Sequence, residues 1–128
     1  MQGAQLHDFA SRYTAAWCSQ NAANVASLFT DGGSLTINAG SPSNGRTAIT
    51  AAAQSFMSAF PDMVVTMDRL AVDGVQITYY WTLTGTNTVA GGTGKTVRIS
   101  GYEQWRFGSD DLMTASTGHF DEAAYQRS

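Results

Sequence analysis

The spacing of apolar residues changes at Pro61, and this change restricts the possible folds more than any other feature of the chain. Before Pro61 apolar residues recur at steps of three and four, as on one face of a helix. After it they alternate with polar residues, as on one face of a strand. Helices followed by long strands are typical of an α+β fold. We expect a curved, mixed or antiparallel sheet that forms a cone with the N-terminal helices around an apolar cavity.

The segment before Pro61 is predicted to hold three helices and one short strand. The helices cover residues 5–18, 25–29 and 46–60, the second ending at Asp31-Gly32-Gly33 because glycine favours helix termini. Residues 34–38 alternate briefly like a strand, and residues 39–45 have the composition of a loop.

Four longer strands are predicted after Pro61, at residues 63–72, 75–86, 97–107 and 112–121. The first two are joined by a hairpin at Asp73-Gly74. Along residues 97–107 one face is apolar and should face the core; it carries Val97, Ile99, Gly101, Glu103, Trp105 and Phe107. An acid on that face is a candidate functional group. In the last strand His119 and Asp121 share one face, with Gly118 and Phe120 opposite.

Composition fits one globular domain covering residues 1–128, with 43% hydrophobic and 13% charged residues. A net charge of −3 gives no support to nucleic-acid binding, which favours a basic stripe. One cysteine, Cys18, cannot form an internal disulfide, and no cluster has zinc-ligand spacing. The start lacks the pattern of a signal peptide, and no apolar run suits a membrane span. We expect a cytoplasmic protein without metal, cofactor or membrane association.

Several short motifs in the sequence resemble those of one known protein family. FPDM at residues 60–63, WTLTGTN at 81–87 and GHFD at 118–121, with the Asp73-Gly74 hairpin, resemble the SnoaL-like polyketide cyclases. These belong to the nuclear transport factor 2-like superfamily, whose fold is a cystatin-like α+β cone. The resemblance covers nearly the whole chain. The resemblance is specific for the fold but says little about the reaction. The superfamily includes enzymes with several different activities and also domains without catalysis.

The resemblance also implies roles for individual residues. SnoaL-like cyclases use an aspartate near the end of the last strand as acid and base, and Asp121 matches it, with His119 expected on the same cavity wall. A partial resemblance to ketosteroid isomerases places Tyr13 and Glu103 where those enzymes have two oxyanion donors. Their general-base aspartate would fall at Ile37 or Asn38, and neither side chain can abstract a proton from carbon. Ketosteroid isomerase activity itself is therefore not expected.

We expect an acid/base catalyst of cyclase or isomerase type that acts on an enolisable carbonyl compound of polyketide or polycyclic type. Asp121 would be the base, Glu103 and Tyr13 would polarise the carbonyl, and His119 would assist. Burial among aromatic rings would raise the pKa of Glu103 and make it a hydrogen-bond donor. The expected substrate-binding residues are Trp17, Phe56, Phe60, Trp81, Trp105 and Asn38.

Each assignment has a structural alternative. Asp121 could cap the tail segment, and His119 could bond to backbone at the edge of the core. Glu103 could pair with an arginine, or a β-bulge could move it into solvent. Tyr13 and the other aromatic residues could be plain core. The domain could then bind a small apolar ligand or only dimerise, and a dehydratase or hydrolase on this scaffold also remains open.

A homodimer is expected through the outer face of the sheet, which mixes aromatic and polar residues. Its residues are Tyr80, Thr82, Thr84, Tyr102 and Gln104.

Overall fold

A computed structural model describes residues 3–38, 40–86, 94 and 96–120. The helices in these ranges are α1 (Gly3–Cys18), α2 (Ala22–Ala26) and α3 (Arg46–Ala59). The strands are β1 (Phe29–Ile37), β2 (Ser43–Asn44), β3 (Val64–Asp73), β4 (Gln76–Thr86), β5 (Thr96–Phe107) and β6 (Met113–Phe120). The predicted α+β class is confirmed.

The six strands form one curved, mixed sheet in the order β2-β1-β6-β5-β4-β3, and the sheet does not close on itself. Only the β1–β6 pair is parallel among these neighbours, and the other pairs are antiparallel. Helix α1 packs against β3, and α2 packs against α3. The core lies between these helices and the concave side of the sheet.

The helices form where the sequence has apolar residues on one helical face and residues that cap or stop a helix at its ends. The buried residues of α1 are Leu6, Phe9, Ala10, Tyr13, Ala16 and Trp17. This is the predicted spacing of three and four. Asn21 caps α2, because its side chain accepts a hydrogen bond from the backbone N–H of Ala23 at 3.1 Å. Helix α3 ends at Ala59 with Phe60 as its C-cap, directly before Pro61, within one residue of the predicted end.

The first strand is longer than predicted. Phe29 was assigned to a helix and Asp31-Gly32-Gly33 to its end, and both assignments are wrong, since β1 begins at Phe29. The pairing of β1 with β6 shifts between Phe29 and Ser34, so this stretch lacks regular alternation. At Gly33 an added Cβ would lie only 3.1 Å from the backbone oxygen of Met113. The glycine is thus needed for close approach of two strands and does not terminate a helix. The predicted loop also contains the short strand β2.

Alternation along β5 follows the prediction. Val97, Ile99, Glu103 and Trp105 are buried, while Arg98, Ser100, Gln104 and Arg106 are exposed. We call the side of the sheet that carries Glu103 the inner face and the side that carries Tyr102 the outer face. The inner face meets the helices, and it positions the site described next.

Candidate functional site

A pocket of about 60 Å³ opens on the inner face of the sheet. We call it the inner pocket. Its lining residues are Trp17, Leu35, Ile37, Phe56, Val65, Tyr79, Trp81, Leu83, Glu103, Gly118 and Phe120. Glu103 is the one carboxyl group among them. Gly118 pairs with Glu103 across the strands and adds no side chain above it, so Glu103 borders the pocket.

Three side-chain donors converge on one oxygen of Glu103. Oε1 accepts hydrogen bonds from the Ser116 hydroxyl at 2.6 Å, the Tyr13 hydroxyl at 2.7 Å and the Trp105 indole Nε1 at 3.1 Å. Glu103 is only 8% exposed. The alternatives of an arginine partner or a solvent-exposed position are therefore wrong for this residue.

The convergence of donors on Oε1 makes the two carboxyl oxygens of Glu103 unequal. A carboxyl oxygen has two lone pairs in the carboxyl plane, and three donors share those of Oε1. No hydrogen bond to Oε2 occurs among the described residues. Oε2 is therefore the oxygen of Glu103 that remains without a hydrogen bond among the described residues.

Burial raises the pKa of Glu103, because the pocket disfavours the charged form. The hydrogen bonds from Ser116, Tyr13 and Trp105 act in the opposite direction and lower it, but burial is the larger effect. The carboxyl group is thus shifted toward the neutral acid. If it does ionise, the same three donors stabilise the negative charge on Oε1.

Tyr13 lies beside Glu103 but does not reach the pocket. Its ring is 0% exposed and contacts the rings of Tyr79 and Trp105 at centroid distances of 5.5 and 5.1 Å. Burial and then the neighbouring Glu103 raise the pKa of Tyr13 well above its usual range. Since its hydroxyl donates to Glu103, Tyr13 positions the carboxyl group. Its expected direct contact with a substrate carbonyl stays a prediction, since Tyr13 is not among the residues that line the pocket.

Sequence reasoning missed Ser116. This residue is 1% exposed and makes the shortest of the three hydrogen bonds to Glu103. Its position in the strand could have identified it, because Ser116 lies on the same face of β6 as Gly118 and Phe120, and this face points inward. A small hydroxyl residue on an inward face commonly bonds to a buried polar partner.

Four aromatic rings form an arc along the inner pocket. The edge-to-face contacts run from Trp17 to Phe56 at 6.1 Å, from Phe56 to Phe120 at 6.3 Å, and from Phe120 to Trp81 at 6.1 Å between centroids. The two ends of the arc are indoles. Both indole Nε1 atoms, of Trp17 and of Trp81, are buried and have no hydrogen-bond partner in the described structure. A buried donor without a partner loses its hydration, at a cost of about 1–3 kcal/mol.

The Trp17 indole is also near the carboxyl group. It lies close enough to the Tyr13 hydroxyl to lower the pKa of Tyr13, although their geometry falls outside a hydrogen bond. The Tyr13 hydroxyl in turn donates to Glu103. One unpartnered N–H is therefore adjacent to the Tyr13–Glu103 pair.

The expected substrate-binding residues divide into two groups. Trp17, Phe56 and Trp81 line the inner pocket. Phe60 and Trp105 do not; they are 0% and 1% exposed and belong to the core beneath it. Asn38 is not among the lining residues either, and its Oδ1 accepts a hydrogen bond from the Phe120 backbone N–H at 2.8 Å, which fastens the end of β6.

The placement of His119 on the pocket wall is also wrong. His119 pairs with Tyr102, and their rings stack at 4.9 Å on the outer face. The reason is an irregularity between Arg106 and Phe107, where the register of β5 against β6 shifts by one residue. Met113 points inward before the shift, and Ser116 and Gly118 point inward after it, so the odd-numbered His119 points outward.

Asp121, the expected base, lies outside the described residues. Within the described ranges no group of three or more His, Cys, Asp or Glu side chains is arranged to hold a metal ion. Among those same ranges no helix has the length and hydropathy of a membrane span.

The sequence matches one known protein family over most of its length. The SnoaL-like domain family matches residues 10–116, which is most of the chain. The chain belongs to the SnoaL-like domain family. No functionally curated protein matches the sequence.

Solved structures agree on the fold of this SnoaL-like domain. A protein from Jannaschia sp. CCS1, provisionally assigned as a SnoaL-like polyketide cyclase, superposes with a TM-score of 0.83 at 16% identity, covering 96% of this chain and 90% of that one. The epoxide hydrolase/cyclase-like enzyme SalBIII of salinomycin pyran-ring formation gives 0.80 at 14%, covering 97% of each. A ketosteroid isomerase-like protein from Catenulispora acidiphila, solved with trimethylamine, gives 0.79 at 17%, covering 91% and 87%. At these identities the likeness shows the fold, and the activity has to be argued from the site.

Proposed function

We propose that this SnoaL-like protein is an acid/base catalyst of cyclase or isomerase type that acts on an enolisable carbonyl compound in the inner pocket. The observation that carries the proposal is the environment of Glu103. Glu103 borders the pocket, its Oε1 accepts three hydrogen bonds, its pKa is raised by burial, and its Oε2 accepts no hydrogen bond from the described residues. A carboxylic acid in this setting can give a proton to an oxygen atom of a bound ligand.

The proposed step is enolisation. Glu103 Oε2–H donates its proton to the carbonyl oxygen while a base removes a proton from the adjacent carbon. The electron pair of that C–H bond forms the carbon–carbon double bond of the enol, and the carbonyl π electrons take the donated proton. The new carboxylate is held by the Ser116, Tyr13 and Trp105 donors. We retain Asp121 as the proposed base because of its match to the family aspartate.

The same step leads to either reaction type. Return of the proton at a different carbon isomerises the compound, whereas attack of the enol carbon on a second carbonyl closes a ring. The apolar lining supports both, because exclusion of water strengthens hydrogen bonds to a developing charge. Tyr13 and Ser116 act through Glu103 and are positioning residues in this scheme.

The direct test is exchange of α-protons of cyclopentanone for deuterium in D₂O, followed by NMR. The wild-type protein should accelerate exchange over buffer, and Glu103→Gln should lose about 10²–10⁴-fold of that acceleration, the usual contribution of a general acid. Glutamine keeps the shape and the Oε1 acceptor but carries no transferable proton. Asp8→Asn is the matched control, because it also removes one carboxyl group, at an exposed site on α1.

Two results would contradict the proposal. One is wild-type protein that does not accelerate exchange, and the other is equal acceleration by wild type and Glu103→Gln. The first result would favour the alternative of a non-catalytic domain that binds a small apolar ligand. That alternative draws its support from the rest of the pocket lining, which is almost entirely apolar.

A further inference from the structure

The lining of the inner pocket determines which ligands it can distinguish. Glu103 is its one carboxyl group, and the rest of the lining is almost entirely apolar. Such a surface offers few hydrogen bonds for recognition, so it selects ligands mainly by size and shape. The space of about 60 Å³ holds about four to six water molecules, which corresponds to a compound of about six non-hydrogen atoms. The aromatic ring that limits this space therefore decides how large a ligand can be.

Phe120 takes its place in the pocket wall because Gly101 lacks a side chain. Gly101 pairs with Trp81 on β4 and with Phe120 on β6, so the three residues form one row across the sheet. An added Cβ at Gly101 would lie 2.7 Å from Trp81 Cζ2 and 3.0 Å from Phe120 Cβ. The rings of Trp81 and Phe120 meet edge to face over this row, with their centroids 6.1 Å apart. The Phe120 side chain thus uses space that a larger residue at position 101 would fill.

Asn38 holds Phe120 from the opposite side. Strand β1 ends at Ile37, which pairs with Gly118. Beyond that pair Asn38 donates its backbone N–H to the Gly118 oxygen at 2.8 Å, and its Oδ1 accepts a hydrogen bond from the Phe120 N–H at 2.8 Å. Asn38 adopts a φ of 51°, a left-handed conformation that asparagine tolerates better than most residues with a side chain. The side chain of Asn38 thus replaces the backbone of β1 as the partner of Phe120.

We infer that Phe120 sets the largest size of ligand that the inner pocket admits, and that Asn38 is the positioning residue that keeps Phe120 in place. This inference rests on the proposed function and specifies its substrate class, a compact ketone about as large as one five-membered ring. The neighbouring rings support it. Phe120 lies between Phe56 and Trp81, at centroid distances of 6.3 and 6.1 Å, so its loss would widen the pocket at the centre of the aromatic arc.

The test compares the binding of two ketones that differ in size. Cyclopentanone and 1-indanone share the five-membered ring and the carbonyl group, and 1-indanone carries an additional fused benzene ring. Their dissociation constants are measured by ¹H–¹⁵N NMR titration of the wild type, Phe120→Ala and the milder Phe120→Leu, and the spectra show whether each variant is folded. Phe107→Ala is the matched control, because Phe107 is also half-buried on the sheet but contacts Phe9 and does not line the inner pocket.

The wild type should bind cyclopentanone more tightly than 1-indanone. Phe120→Ala should shift the ratio of the two dissociation constants toward 1-indanone by about tenfold or more, because apolar pockets distinguish ligands that differ by one methylene by about 10–200-fold. Phe120→Leu should shift it in the same direction by a smaller factor, and Phe107→Ala should keep the wild-type ratio.

Several results would overturn the inference. One is wild-type protein that binds 1-indanone as tightly as cyclopentanone, or that does not bind cyclopentanone. Another is a wild-type ratio in both Phe120 variants. The third is a shift in Phe107→Ala as large as the shift in Phe120→Ala.

A second pair of variants tests the role of Asn38. Asn38→Ala removes the acceptor of the Phe120 N–H and should shift the ratio in the same direction by up to about tenfold, because one hydrogen bond of this value determines how often Phe120 leaves its place. Asn38→Asp keeps an oxygen at Oδ1 and should retain the wild-type ratio. Reduced stability of Asn38→Ala with an unchanged ratio would reject the positioning role and leave Asn38 a structural residue only.

Failure of this inference differs from failure of the proposed function, since the ratio of dissociation constants does not depend on catalysis. Catalysed exchange of cyclopentanone α-protons, with the ratio unchanged in both Phe120 variants, would reject only the size limit. The expected shift of the ratio in a protein that does not accelerate exchange would reject only the catalytic role, and Phe120 would then limit the size of ligands in a binding pocket.

Discussion

Glu103 and Tyr102 are neighbours in sequence on β5 and meet opposite surroundings. Glu103, on the inner face, is held by three fixed donors beneath a layer of aromatic rings. Tyr102, on the outer face, is half-buried, and its ring stacks on His119 and lies 6.0 Å from that of Tyr80. Both faces are rich in titratable and aromatic residues. The two faces differ in enclosure, because among the described residues only the inner face combines an acid with three side-chain donors and a pocket beside it.

The largest effect is expected where the inner face has no space for a side chain. Gly101 pairs with Trp81 and Phe120, and an added Cβ would contact the His119 backbone oxygen and would lie 2.7 Å from Trp81 Cζ2. Gly101→Ala should therefore lower the free energy of unfolding by about 3 kcal/mol, measured by urea denaturation. Gly32→Ala is the control, because a Cβ there meets nothing within 4 Å. Equal stability of the two variants would show that the sheet relaxes freely around Gly101.

A matched pair of tyrosine variants compares the two faces directly. Tyr13→Phe removes a donor from buried Glu103 and should lower the free energy of unfolding by about 1–3 kcal/mol. Tyr102→Phe removes the same hydroxyl group from the outer face and should change it by no more than about 0.5 kcal/mol. Chemical denaturation of both variants measures the difference. A larger loss for Tyr102→Phe would reverse the assignment of the two faces.

Glu103 should also give stability a specific pH dependence. Its pKa in the folded protein is raised above the value of 4.5 expected for the unfolded chain. Between these two pKa values the folded state binds more protons than the unfolded state, so the free energy of unfolding falls as pH rises. Its contribution is fully present below pH 4.5 and is lost as pH rises through the folded pKa.

The measurement is a series of denaturation curves for the wild type and Glu103→Gln across that range. The difference between the two proteins isolates Glu103, because the remaining titratable groups are common to both. The wild type should lose stability relative to Glu103→Gln with rising pH. A difference that does not vary with pH would mean that the pKa of Glu103 is the same in the folded and unfolded states.

The smallest effect is expected from His119. Its ring is on the outer face against Tyr102, so His119→Gln should leave α-proton exchange of cyclopentanone unchanged. The assay is the one proposed for Glu103→Gln. If His119→Gln lost as much of the acceleration of proton exchange as Glu103→Gln, His119 would have to be a catalytic residue. That result would contradict the observed strand register.

Strand alternation was sufficient to predict the burial of Glu103 and its proximity to Tyr13, because the apolar side of β5 is unambiguous in the sequence. The placement of His119 on the pocket wall came from the family resemblance, and it is wrong because the register shift between Arg106 and Phe107 turns Ser116 and Gly118 inward and His119 outward. The start of β1 was missed because Asp31-Gly32-Gly33 resembles a helix end and not a strand. The homodimer contact and the role of Asp121 stay predictions.

The long-range pairing of β1 with β6 has a consequence for folding. One wall of the inner pocket joins Leu35 and Ile37 of β1 to Gly118 and Phe120 of β6, and the bond from Phe120 to Asn38 that fastens it spans 82 positions. The bond between Tyr13 and Glu103 spans 90 positions. Contacts across such separations form slowly, because the intervening chain must first be ordered. Partly folded chains that contain the helices and the β3–β4 hairpin therefore lack the acid site, and recovery of proton-exchange activity during refolding would report completion of the whole sheet.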